Sequence, residues 1–251
     1  MKAIGLLTGR ADQTFRKCSI LLVFAGLTCG LSLLSLPARA ESDPKACHGV
    51  DFEAKRPLVV SRVSARSHVN FLKGSDDDAA CPADKDICRK KVYLVPGDIV
   101  LSGRVHGAFT CISYQSFHTR RQNWTTGWLP TSSLTRMEPM SSPKASDWIG
   151  SWSHPGGTIS ISGSDGGKLL SIEGEHTYPA AQNVHSGVLG AEVEPQQGMI
   201  AFIEDGSIPF DKAEDEQCMV RMQRVGIWLL VEDNQQCGGS MVTFTGLYRR
   251  D

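Results

Sequence analysis

An all-β, disulfide-bonded protein built from two small antiparallel barrels or sandwiches in succession is what this sequence predicts, on three observations. Glycine (25 of 251 residues) and proline (12) are plentiful while aromatic residues make up only 7%, which suits short strands joined by many turns. After residue 40 no stretch carries the apolar period of an amphipathic helix, whereas several alternate with a period of two. Six cysteines follow residue 40, an even number that reads as a disulfide set.

The first 40 residues differ in kind. Lys2, Arg10, Arg16 and Lys17 precede an apolar run from Cys18 to Leu36, and Pro37 then leads into Ala38-Arg39-Ala40. A basic start, an apolar run and a small-x-small site predict a secretory signal peptide, residues 1–40, cut after Ala40. An uncleaved anchor is the alternative, because the run approaches the ~20 residues that span a bilayer. Either way the folded part is expected in the periplasm or secreted. Residues 1–40 hold five basic residues and one acidic, leaving 21 basic against 26 acidic and a net charge of −5 in the remainder. That balance argues against nucleic acid and, once the signal is removed, against the membrane as partners.

Cys47, Cys81, Cys88, Cys111, Cys218 and Cys237 include no C-x-x-C and no Cys/His cluster at zinc spacing, so disulfides are expected and neither a metal nor a cofactor. Proximity favours Cys81 with Cys88, Cys47 with Cys111, and Cys218 with Cys237. The first four cysteines formally allow three connectivities, and these stay open.

Four segments follow from composition: the signal, a first domain over 41–136, a linker over 137–146 and a second domain over 147–251. Residues 41–57 form a lead-in with Pro44 and Pro57. Strands are expected at Leu58–Val63, toward Leu72, at Val92–Val95, Ile99–Leu101, Phe109–Tyr114 and Thr126–Pro130, with a 3₁₀ turn over Thr131–Leu134. Between them Lys73–Lys91 is a polar insertion. Its Asp76, Asp77, Asp78, Asp84 and Asp86 read as a solvated loop, with calcium a weaker alternative because EF-type spacing is missing.

Pro-Gly-Asp at 96–98, the apolar strands that follow and Gly127-Trp128-Leu129 with the trailing Leu134 resemble bacterial SH3-like domains. The likeness covers residues ~58–135. It implies an SH3-like barrel in which Gly97-Asp98 turns the chain into a strand, Gly127-Trp128 sits on the next to last strand and Leu134 closes the core. The cysteine-bearing insertion departs from that pattern.

Met137–Ser146 has the composition of a linker. Beyond it, Ile159 and Ile161 alternate with Thr158, Ser160 and Ser162, the mark of a half-exposed strand, and Leu170, Ile172 and Gly174 share one face of a return. Loop material is expected over His176–Gly187, with shorter strands near Val188–Val193 and Met199–Ile203. Cys218, Val220 and Met222 oppose Arg221 and Gln223. Ile227–Val231 returns the chain, and Val242, Phe244, Gly246 and Tyr248 line a closing strand. This half is similar in outline to small up-and-down barrels of the calycin kind. That similarity implies an early Trp152 near a late Arg249 or Arg250. Its last segment also resembles a small β-barrel domain of secreted bacterial proteins of lysozyme-inhibitor type.

No G-x-S-x-G, H-E-x-x-H or phosphate-binding glycine loop is present, so no enzymatic activity is expected. His185-Ser186 is a weak candidate for an unrecognised hydrolase, and His154, His176 and His185 for a shared metal. Asp233-Asn234 before Cys237-Gly238-Gly239 reads either as a ligand loop or, preferably, as a turn held by Asx hydrogen bonds with positive φ at the glycines. The preferred binding stretch places Tyr114, Phe117 and Trp124 beside Arg120 and Arg121, flat apolar faces with donors alongside. The expected function is non-catalytic binding at the bacterial envelope, with cell-wall peptide or glycan or an envelope protein as partner. Inhibition of a secreted lysozyme-type hydrolase is the alternative.

Overall fold

Residue alternation decides the architecture. Along the strand Gly157–Gly163, Ile159 and Ile161 are buried while Thr158, Ser160 and Ser162 are exposed, and Leu170, Ile172, Gly174 and His176 are buried on its neighbour. A computed structural model describes residues 43–117, 123–163, 168–180, 183–204, 209–214 and 216–251, and it is all-β with two antiparallel sheets. The expected signal peptide lies outside the described residues. Among the described residues no helix is long and apolar enough to cross a membrane.

The first sheet contains β1 (Val59–Val63), β2 (Val69–Leu72), β3 (Arg89–Leu94), β4 (Ile99–His106), β5 (Phe109–Gln115), β6 (Trp124–Pro130) and β7 (Leu134–Met137). Their order is β3-β2-β6-β5-β4-β1-β7. Gly97 adopts φ +98°, a conformation natural to glycine, and Asp98 accepts the Val95 N–H at 2.8 Å, so Pro-Gly-Asp turns the chain into β4. A 3₁₀ turn at Thr131–Ser133 joins β6 to β7. Two boundaries differ from expectation. β3 begins at Arg89, inside the expected polar insertion, because it pairs with β2 (Val69↔Leu94). β4 runs past the expected Leu101 to His106, carried by its pairing with β5, and the chain turns at the Gly107 corner.

After the single helical turn α1 (Ala145–Trp148) come β8 (Gly150–His154), β9 (Gly157–Gly163), β10 (Leu170–Pro179), β11 (Val184–Val193), β12 (Met199–Ile203), β13 (Met219–Val225), β14 (Trp228–Asp233) and β15 (Gly246–Arg250). The sheet order is β11-β10-β9-β8-β15-β14-β13-β12. Every connection joins neighbours, the last strand pairs back onto the first (Arg249↔Ser153), and β11 and β12 lie side by side at the seam. The result is a nearly closed up-and-down barrel. Its interior holds Trp148, Trp152, Ile159, Ile172, Met222, Leu229, Val231, Phe244 and Tyr248. The loop expected over His176–Gly187 is mostly strand, because β10 and β11 pair without interruption from Leu170↔Val193 to Pro179↔Val184.

Ser42–Asp251 form one unit, and β14 shows why. All six of its residues are buried. Leu229 and Val231 point into the barrel, while Trp228 and Leu230 join Val60 and Leu101 of the first sheet in a separate apolar cluster with Val225 and Leu247. A strand covered on both faces loses its polar alternation. The same cause buries Arg221, which opposes Cys218, Val220 and Met222 on its strand: the lead-in covers it, and it is 1% exposed.

Three disulfides connect Cys47 to Cys111, Cys81 to Cys88 and Cys218 to Cys237. Such a set is compatible with an oxidising compartment such as the periplasm or the cell exterior.

Candidate functional site: a cleft between the sheets

The lead-in builds one wall of the site. Cys47 is bonded to Cys111 on β5, and the Val50 N–H donates to Ser113 Oγ at 3.0 Å. Gly49, at φ +107°, permits this approach, since a Cβ there would lie 2.7 Å from Ser113 Oγ and 3.0 Å from Thr126 Cγ2. Val50 and Phe52 are thereby laid against the mouth of the barrel.

Between lead-in, first sheet and barrel lies a cavity of about 320 Å³. Phe52 comes from the lead-in, Trp124 and Thr126 from β6, Tyr178 from β10, and Asp233, Thr243 and Thr245 from the end of β14 and the segment before β15. Aromatic faces with hydroxyls and a carboxylate between them suit a ligand with both apolar and polar parts. A larger cavity of about 490 Å³, between Arg56, Val59 and Arg104, has no aromatic lining and is the weaker candidate.

Asp233 organises the floor. It is 1% exposed. Its Oδ1 accepts the Thr245 N–H at 2.9 Å and the Thr245 hydroxyl at 2.7 Å, together with the Thr243 hydroxyl, and its Oδ2 accepts the Gln235 N–H at 3.2 Å. Burial pushes this carboxyl above its ordinary range, and the donated hydrogen bonds pull it back down. The Asx hydrogen bond expected in this loop is therefore present. Positive φ falls instead on Gln235 (+63°) and Met241 (+68°), because Gly238 serves close packing: a Cβ there would lie 2.8 Å from the Gly187 Cα.

Behind the cleft, Arg221 and Glu232 form a buried ion pair at 2.6 Å. Arg221 also donates to the carbonyls of Glu53, Ala54 and Arg56, and Glu232 accepts the Leu58 N–H at 3.0 Å. The pair thus binds the lead-in to the barrel and holds Phe52 beside the guanidinium, 5.3 Å from Cζ to ring centroid. Burial raises the Glu232 carboxyl against the lowering effect of Arg221.

The residues expected to bind ligand are distributed between two places. Trp124 lines the main cleft. Tyr114 and Phe117 border a separate cavity of about 180 Å³ with Trp228 and Arg249. There the Arg249 guanidinium covers both rings, 4.3 Å from Phe117 and 4.9 Å from Trp228, so Phe117 helps join the sheets. Arg120 and Arg121 lie outside the described residues. Phe52, Tyr178, Thr243 and Thr245 carried no sequence signal, because they converge only when the sheets pack. Asp233 was visible as part of a possible ligand loop.

Other candidates resolve into structural roles. Asp77 pairs with Lys90, and Asp84 and Asp86 pair with Arg89. Among the described residues no three metal-ligating side chains gather. His154 and His176 do meet inside the barrel, 5.9 Å between ring centroids, but His185 sits apart and engages the Ser240 carbonyl at 2.5 Å. Trp152 carries the Arg250 guanidinium at 4.7 Å and that of Arg224 at 4.3 Å.

No protein-family model matches the chain, and no curated protein or solved structure matches it significantly.

Proposed function

We propose that the protein is exported and acts without catalysis, binding cell-wall material at the bacterial envelope in the cleft between its sheets. One observation carries this reading: Phe52, Trp124 and Tyr178, from three separate parts of the chain, line one cavity together with a buried carboxylate and two threonine hydroxyls. Convergence of aromatic and polar groups from distant segments is how ligand sites are assembled. The disulfides, the signal-like residues 1–40 and the resemblance of residues ~58–135 to bacterial SH3-like domains agree with work at the envelope. Purified protein should be retained on isolated cell-wall sacculi at low salt, and Trp124→Ala should release it at a temperature where the variant is still folded, since Trp124 also packs against the apolar cluster joining the sheets. Failure of the unmodified protein to be retained overturns the proposal.

A second reading, inhibition of a lysozyme-type hydrolase, is favoured by the loop between β14 and β15. It is pinned by Cys218–Cys237 and presents Met241 at 66% exposure. A rigid loop with an exposed apolar tip suits insertion into a cleft. Titration of lysozyme with stoichiometric protein tests it, and a flat titration removes it.

A further inference from the structure

The Asp233 carboxylate has, among the described residues, four donors and no cation. Among the described residues no Lys, Arg or His comes within ion-pair distance of it, whereas the neighbouring buried acid, Glu232, has Arg221. Arg221 is itself occupied by Glu232 and three carbonyls. His48, the one basic side chain lining the cleft among the described residues, is largely exposed and lies 3.9 Å from Asp76. A buried carboxylate ordinarily has a counter-charge, and four hydrogen bonds only partly replace one. Its two oxygens are also unequally used. Oδ1 receives three of the four donors and Oδ2 receives only the Gln235 N–H, leaving acceptor capacity on Oδ2.

We propose that the cleft takes a primary ammonium group on an aliphatic stem, as on a lysine or diamino-acid side chain, with Asp233 as its counter-ion. This rests on the reading of the cleft as the ligand site. Trp124 and Tyr178 line the same cavity, and aromatic rings both attract cations and pack a methylene stem. At about 320 Å³ the space matches one long side chain better than an oligosaccharide. The net charge of −5 over residues 41–251 favours the approach of a cation.

The test compares Nα-acetyl-lysine amide with Nα,Nε-diacetyl-lysine amide by calorimetric or NMR titration into the full chain. The charged probe should bind about tenfold or more tightly, the difference expected for a charge-assisted hydrogen bond. Asp233→Asn should abolish that preference. Because Asp233 also anchors the Thr243–Thr245 segment, the two probes on unmodified protein decide the matter if this variant does not fold. Equal affinities, or no binding of the charged probe, overturn the proposal. Sacculi with and without N-acetylation of their free amines separate it from the broader reading. Retention lost on acetylation supports both, unchanged retention overturns the ammonium site alone, and absent retention on both kinds of sacculi overturns envelope binding.

Discussion

His154 on β8 and Gln115 on β5 meet at 2.5 Å, Nε2 against Oε1, so a side chain from inside the barrel is joined to one from the other sheet. His154 stacks on Tyr248 at 4.6 Å and faces His176. Burial first, and His176 second, hold His154 down at about 3, and burial holds His176 at about 4. Both rings are therefore neutral in the folded protein at pH 5, while the unfolded chain takes up protons below ~6.5. Stability is then full above about pH 6.5 and falls as pH drops toward 4, by about 2 kcal/mol at pH 5 from His154 alone. Glu232 and Asp233, whose carboxyls are raised, act in the opposite sense and lose stability as pH rises above the ordinary carboxylate range. Thermal midpoints at pH 7 and pH 5 should differ, with the lower value at pH 5. Protonation of the His154 and His176 rings at pH 5, read from their NMR shifts, would contradict the buried neutral histidines.

His176 offers a cleaner test, because neither of its ring nitrogens has a hydrogen-bond partner among the described residues. An apolar replacement of similar volume removes a desolvation cost and no bond. His176→Met should be as stable as the original at pH 7 or more so, and should lose less between pH 7 and pH 5. Urea titrations at both values would show it.

Arg221→Leu should destabilise the protein by about 3–5 kcal/mol, since it leaves Glu232 buried and unpaired. Three lead-in carbonyls lose their donor as well. The double change Arg221→Leu with Glu232→Leu should recover part of the loss. Hydrogen exchange should locate the remaining weakness around Leu58, whose N–H then lacks an acceptor.

Two glycines of β11 form a matched pair. A Cβ at Gly187 would meet the Cys237 carbonyl oxygen, whereas one at Gly190 would meet nothing within 4 Å. Gly187→Ala should therefore cost about 1–3 kcal/mol, as overpacking does, while Gly190→Ala should be close to neutral. Comparison of the two denaturation midpoints checks this.

Loop length orders the disulfides. Cys47–Cys111 closes 64 residues, Cys218–Cys237 closes 19 and Cys81–Cys88 closes 7. Chain entropy then gives losses of about 4, 3 and 2 kcal/mol for paired Cys→Ser replacement in that order. Thermal midpoints of the three variants should fall in the same sequence.

Local chemistry determined much of this protein from its sequence. Period two placed Ile159 and Ile161 on a core face, Gly97-Asp98 marked a turn, and an even set of cysteines indicated disulfides. These depend on neighbours along the chain or on simple count. The tertiary structure alone decided that Arg221 is buried, that Phe117 lies under Arg249 and that Phe52, Trp124, Tyr178 and Asp233 share one cleft. Each depends on one sheet covering the outer face of the other, and contacts between segments far apart in the chain leave no period or spacing in the sequence.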